Sequence, residues 1–269
     1  MLSNGNISSF IFCFSSLAFR SLTQFADHPL IVQFAASDAQ TLADAACVVA
    51  PFSDGVDLNC GCPQRWAMSE GYGTCLINKP ELVKDMVRHV RNQVDNPNYT
   101  AFIKIRIHKD LRCTVDLCQT AGVSWITVYG RTAEERHQTV HFDAIKTIKD
   151  SLSVLVIANG DIKTLRDVET IHQFTGVDGV MAARGLLSNP AVFAGYNETP
   201  LECVWDWVDL ATNQGTPFTC FHQHLIYMLE RVSSLPERKA FNSLQSSTAV
   251  IDYLHNTYGS PDTQTVGFS

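Results

Sequence analysis

Apolar positions along the chain follow two alternating periods. Short β-rich runs at Leu30–Ala35, Gly55–Asn59, Phe102–Arg106, Trp125–Tyr129, Val154–Asn159 and Asp178–Ala182 predict strands. Between them, apolar residues recur at three and four over Ala39–Val49, Pro80–Val94, Thr114–Ala121, Phe142–Lys149 and Leu165–Phe174, the spacing of amphipathic helices. Strands separated by helices pair in parallel, because the crossover returns the chain to the same end of the sheet. The runs Trp125–Val128 and Val154–Ala158 are almost continuously apolar, as buried parallel strands are. Polar residues gather just past the strand ends: Asn59, Arg106, Arg131, Asn159, Asp161 and Arg184. An α/β barrel or an open doubly wound sheet presents its site at those ends. Periodicity does not separate the two, and the recurrence of polar strand ends favours the barrel.

With a weak strand at Ile11–Phe14 the count is about seven, one βα unit short of a (β/α)8 barrel of the TIM type. Past Tyr196 only helical periods remain, at Leu201–Asn213, Thr219–Ser233 and Pro236–Leu254. The turn residues Asn197-Glu198-Thr199-Pro200 place a boundary there, giving a barrel domain over residues 1–197 and a helical domain over 198–269.

Composition narrows the classes. With 45% hydrophobic and 17% charged residues over 269 positions, the chain is globular. A formal net charge of -7 excludes nucleic-acid binding by bulk charge, so any RNA contact needs a local basic patch. Nine scattered cysteines suit a reducing compartment and free thiols. The apolar stretch Ile7–Phe19 is too short to span a bilayer, and no Lys or Arg precedes Arg20, so the basic head of a secretory signal is missing. A cytoplasmic protein without membrane attachment is expected, with nuclear or mitochondrial locations also open, and a monomer is the expected state.

Three motifs carry chemistry. Asn59-Cys60-Gly61-Cys62-Pro63 follows a buried strand, and a cysteine on such a loop is either a nucleophile or proton donor or simply a small buried residue. Lys104-Ile105-Arg106 ends a strand, where the lysine either holds an anionic ring or snorkels to solvent. Asn159-Gly160-Asp161 and Ala183-Arg184-Gly185 end consecutive strands and turn into helices, the place where barrels bind phosphate, although ordinary βα turns share that composition. No metal-ligand set accompanies them, since the one-residue gap between Cys60 and Cys62 is tighter than paired zinc ligands use. His222 and His224 are read as structural, and Trp205 and Trp207 as core and rim of a helix.

In order along the chain, Asn-Cys-Gly-Cys-Pro-Gln-Arg-Trp-Ala-Met-Ser-Glu-Gly-Tyr-Gly at 59–73, Lys-Ile-Arg at 104–106, Gly-Arg-Thr at 130–132, Asn-Gly-Asp at 159–161 and Ala-Arg-Gly at 183–185 resemble the tRNA-dihydrouridine synthases, in particular the eukaryotic dihydrouridine synthase 4-like group. The resemblance implies flavin mononucleotide (FMN) at the top of a barrel, NADPH as reductant, and reduction of a tRNA uridine with Cys62 as proton donor. It further implies cofactor contacts from Gln33, Lys104, Tyr129, Asn159, Gly160, Asp161, Ala183, Arg184 and Gly185, and substrate contacts from Asn59, Arg65, Arg106 and Arg131. The uracil must leave its stack to meet the cofactor, and the helical domain is expected to help hold tRNA. This sequence departs from the family at three places: Phe10–Phe14 replaces a Pro-Met strand, the second βα unit is missing between Leu22 and His28, and Tyr129 stands where the family has His. Two other functions therefore stay open: an inactive relative that still binds RNA, and a flavin oxidoreductase acting on a small pyrimidine.

Overall fold

The computed structural model describes the backbone of strand Ile11–Phe12 and all of residues 29–259. Among the described residues seven strands form one sheet: β1 (Ile11–Phe12), β2 (Leu30–Phe34), β3 (Gly55–Cys60), β4 (Thr100–Arg106), β5 (Trp125–Tyr129), β6 (Leu155–Asn159) and β7 (Gly179–Met181). Every pairing is parallel and the spatial order is the chain order. A doubly wound sheet reverses its strand order at a switch point, which puts helices on both faces. Sequential order with right-handed crossovers puts them all on one face, and the sheet curls around the other. The fold is an incomplete (β/α) barrel of the TIM type. The proposed gap between Leu22 and His28 lies outside the described residues, but β1 pairs directly with β2, in register Ile11↔Leu30.

The helices between successive strands are α1 (Ala39–Val49), the short α2 (Arg65–Ser69), α3 (Pro80–Gln93), α4 (Leu111–Thr120), α5 (Phe142–Asp150) and α6 (Leu165–Thr175), and α7 (Arg184–Ser188) follows β7. Strand alternation sorts the two faces of the sheet. Val56, Leu58, Cys60, Ile103, Ile105, Ile126, Val128, Val156 and Ala158 are all buried, and they form the core with Leu42, Met86, Leu117 and Ile145 of the helices. The alternate positions Asp57, Asn59, Lys104, Arg106, Thr127, Tyr129 and Asn159 give the opposite face its polar character. Phe102 stacks on Trp125 on that same face, with ring centroids 3.7 Å apart, and gives it an apolar floor toward the strand starts.

Caps explain where helices begin. The Asp110 carboxylate accepts from Arg112 N at 3.0 Å, so α4 starts at Leu111, earlier than the periodicity at Thr114 implies. Asp178 accepts from Val156 N at 2.8 Å and from Lys149 Nζ at 2.6 Å, just before β7 begins at Gly179.

The described residues divide into two compact units, one up to Gly160 together with Val168–Met181, the other Asp161–Asp167 together with the residues from Ala182 on. In the second unit α8 (Leu201–Asn213), α9 (Phe218–Met228), α10 (Leu235–Asn242) and α11 (Ser247–Tyr258) enclose Val204, Trp205, Val208, Phe221, Leu225, Phe241, Val250 and Leu254. His222 Nε2 meets Phe241 O at 3.0 Å and Trp207 Nε1 donates to Phe221 O at 3.2 Å, so these polar tips serve the helical core. The periodicity over Pro236–Leu254 belongs to two helices, because Ser246 caps a new one through Ala249 N at 3.2 Å. Helix α10 opens with a reciprocal capping box between Ser234 and Glu237, with Pro236 in its first turn. Ser234→Ala is expected to cost about 1 kcal/mol of stability, read as a lower midpoint in urea unfolding followed by helical circular dichroism.

Candidate active site

Strand β3 ends at Cys60 and the chain turns sharply at Gly61. Asn59 makes that turn: its Oδ1 accepts from Gly61 N and from Cys62 N, each at 3.0 Å. The following loop is tied down at Cys62 O, which accepts from Thr74 N at 3.1 Å and Thr74 Oγ1 at 3.3 Å. Gly73 is required at the tie, because its φ is +64° and a Cβ there would lie 2.3 Å from Cys62 O. The two cysteines consequently have different fates. Cys60 is 0% exposed and burial pushes its thiol well above the ordinary range, whereas Cys62 is half-buried on the loop. Only Cys62 is open to a reacting partner.

An ordered hydrogen-bond chain leads away from this loop. Asn59 Nδ2 donates to Gln33 Oε1 at 3.0 Å, and Gln33 Nε2 donates to Asp57 Oδ2. Asp57 is only 2% exposed, and its Oδ1 is buried without a partner among the described residues. Burial raises its pKa to about 7, opposed by the Gln33 hydrogen bond and the charge of Lys104. Lys104 is shifted the other way: burial lowers it, while Asp57 draws it back up. An acid whose pKa rises on folding adds stability that is complete below its ordinary value of 3.8 and is lost as the pH climbs to about 7. Asp57→Asn should therefore flatten the pH dependence of stability between those values, measured as denaturation midpoints across the interval.

Tyr129 lies among three cations. Arg106 Cζ is 4.6 Å from its ring centroid, with Lys104 Nζ and Arg131 Cζ each at 5.5 Å. Arg131 is buried, donating to Gln138 O at 2.5 Å and to Tyr129 Oη at 2.6 Å. Arg106 joins two loops, donating to Gly61 O at 2.8 Å, Thr132 O at 3.1 Å and Glu135 O at 3.4 Å. Glu135 is itself fixed by His141 at 2.9 Å and Thr132 N at 2.8 Å, and the His141 bond chiefly lowers its pKa. Asn159 Nδ2 donates to Met181 O at 2.7 Å, which leaves Oδ1 facing the other way. Arg65 is exposed on α2 beside Trp66, which is 60% exposed.

Gly160 approaches Val140 so closely that a Cβ would lie 2.8 Å from it. Within the second unit, Arg184 Nη2 lies 3.0 Å from Asp161 Oδ1, and Asp161 takes a positive φ of 48° unusual outside glycine. Gly185, next to Ala183 and Arg184, lies against Ile162 O, which a Cβ would approach to 2.1 Å. The structure thus brings Gln33, Asn59 and Cys62 into one network and Lys104, Tyr129, Arg106 and Arg131 into another. It adds Asp57, which sequence reading passed over although an acid inside Gly-Val-Asp-Leu-Asn was the available signal.

Parallel strands in chain order, with a free thiol, an amide network and clustered cations at their C-terminal ends, define a (β/α)-barrel protein of the enzyme class. A family model described as dihydrouridine synthase matches residues 14–251, and the chain belongs to that family of oxidoreductases. A human protein described as tRNA-dihydrouridine(20a/20b) synthase (NAD(P)+)-like is 65% identical over 236 residues, covering 87% of this chain and 74% of its own. A Caenorhabditis elegans protein described as uncharacterized and tRNA-dihydrouridine synthase-like is 46% identical, covering 86% and 82%. The Schizosaccharomyces pombe tRNA-dihydrouridine(20a/20b) synthase (NAD(P)+) is 40% identical over 253 residues, covering 92% of this chain and 77% of its own.

Proposed function

We propose that this chain reduces the C5–C6 bond of uridine in tRNA, with FMN as cofactor, NADPH as reductant and Cys62 as proton donor. The observation that carries the reading is the half-buried Cys62, held at the end of β3 by Asn59 and Thr74 in a chain of this family. The donor set fits a flavin. Among the described residues Asp57 Oδ1 is a buried acceptor lacking a partner and Lys104 Nζ makes no hydrogen bond. An acceptor and a cation on one polar face suit a ring whose edge alternates N–H and C=O groups. Gln33, Lys104 and Tyr129 would serve the ring side. The positions of the motifs assign Asn159, Gly160, Asp161, Ala183, Arg184 and Gly185 to the phosphate side.

FMN, when bound, would supply hydride for C6 of the uracil ring. Cys62 Sγ–H then gives its proton to C5, the double bond becomes single, and the thiolate is reprotonated from solvent. Arg106 holds the Cys62 loop against the segment around Thr132 and Glu135, so the thiol stays at a fixed place while the base enters. The exposed Arg65 and the half-buried Arg106 offer donors to the nucleotide, and helices over 198–269 would carry the rest of the tRNA contact. No helix among the described residues is long and apolar enough to cross a membrane.

The test is dihydrouridine formed in purified tRNA with NADPH by FMN-loaded protein. Product that depends on NADPH and on Cys62 supports the reading, and flavin-loaded protein that forms none overturns it. A sheet of seven strands among the described residues, against the eight of the usual barrel, favours one other outcome, a relative that binds tRNA without holding flavin. Acid release and quantitation of FMN separates the two: near-stoichiometric cofactor is expected.

A further inference from the structure

We propose that Asp57 is a positioning residue for Cys62, acting through the amides of Gln33 and Asn59. Both ends of this chain have fixed polarity. At one end Asp57 Oδ2 is an acceptor, so Gln33 must present its Nε2 there and its Oε1 toward Asn59. At the other end Gly61 and Cys62 present backbone N–H groups at 3.0 Å, so Asn59 must present Oδ1 there and Nδ2 toward Gln33. The two requirements agree, and each amide therefore has one satisfied orientation out of two. Protonation does not undo this, since a proton on the unpartnered Oδ1 leaves Oδ2 accepting.

An apolar side chain at position 57 removes one anchor. Gln33 is then free to turn over, which faces its Nε2 toward Asn59 Nδ2, and Asn59 is driven to turn in response. The Asn59 flip sets its N–H groups against the N–H groups of Gly61 and Cys62, releasing the turn that holds the thiol. Asn at position 57 keeps an acceptor oxygen in reach of Gln33 and so keeps the order. Cys60 shows that Asp57 is not merely packing for its own strand: the cysteine on the opposite face of β3 is fully buried among apolar residues, while Asp57 lies on the polar face with an oxygen to spare.

The inference rests on Cys62 being the proton donor, and the experiment reads the loop itself, so the two can fail separately. Amide hydrogen exchange is measured by NMR on the full chain. In Asp57→Leu, exchange at Gly61 and Cys62 should speed up by on the order of tenfold, the worth of one lost net hydrogen bond, while Val56 and Ile103 in the sheet keep their protection. Asp57→Asn should restore wild-type exchange at both amides. If Asp57→Leu does not fold, Gln33→Met breaks the same chain at its middle and should free the same two amides. Unchanged exchange in a folded Asp57→Leu or Gln33→Met protein would overturn the proposal, as would Asp57→Asn matching Asp57→Leu. An inactive Cys62→Ala protein beside an unaffected loop would leave the catalytic reading standing and remove only this inference.

Discussion

Cys62→Ala is expected to lower the rate of dihydrouridine formation by roughly 10²–10⁴-fold, the usual contribution of a positioned acid, with FMN content unchanged. The loop around Cys62 is held by main-chain groups, since Asn59 Oδ1 takes the Cys62 amide and Thr74 bonds the Cys62 carbonyl. Alanine keeps both, so the turn survives and only the Sγ–H is lost. Cys60→Ala makes the contrasting control. That thiol is sealed beneath the sheet and held protonated by burial, so its loss leaves a small cavity and affects stability without touching chemistry. Single-turnover assays on FMN-loaded protein, with tRNA in excess, distinguish the two. Equal losses in both variants would mean that neither thiol is the acid and that the loop as a whole had been disturbed.

The sequence made the sheet legible because the interior imposes a period. All six strong strand expectations match β2 to β7 to within two residues at each end, since those runs combine a buried apolar face with a polar strand end. Helix α4 and the α10–α11 break were less legible, because Asp110, Ser246 and the Ser234–Glu237 box set those boundaries by side-chain bonds that hydrophobic periodicity does not encode. At the site, Gln33, Asn59, Cys62, Lys104 and Tyr129 could be named from motifs, but the connections among them could not. Gln33 and Asn59 are far apart in sequence and meet because β2 and β3 are neighbours in register, Gln33↔Asp57. Asp57 escaped notice for the same reason: an isolated acid in a strand is informative only once its burial and its neighbour are known. Cys60 and Cys62 have the same strand parity, and what separates them is that β3 ends at Cys60, which stays buried, while Cys62 lies on the loop beyond, a boundary that residue spacing does not mark.

Arg106→Ala is the substitution expected to hurt stability and activity together, by about 3 kcal/mol in unfolding free energy if two of its charge-assisted bonds contribute as such bonds usually do. The side chain donates to Gly61 O, Thr132 O and Glu135 O, three carbonyls from the segments that follow β3 and β5. Alanine leaves those acceptors to water and also removes the guanidinium that lies 4.6 Å from the Tyr129 ring. Arg106→Lys keeps the charge but lacks the planar fork that reaches two loops at once, so it should recover little of the loss. The pattern across measurements is what identifies the role. If Arg106 braces the loops, both variants lower the urea midpoint, free the Cys62 amide to exchange and reduce turnover in proportion. If Arg106 chiefly binds the nucleotide, stability and exchange stay at wild-type values and only KM for tRNA rises, with Arg106→Lys intermediate. The three carbonyl contacts favour the first pattern, because they occupy Nε and Nη1 and leave Nη2 as the one nitrogen without a hydrogen bond among the described residues.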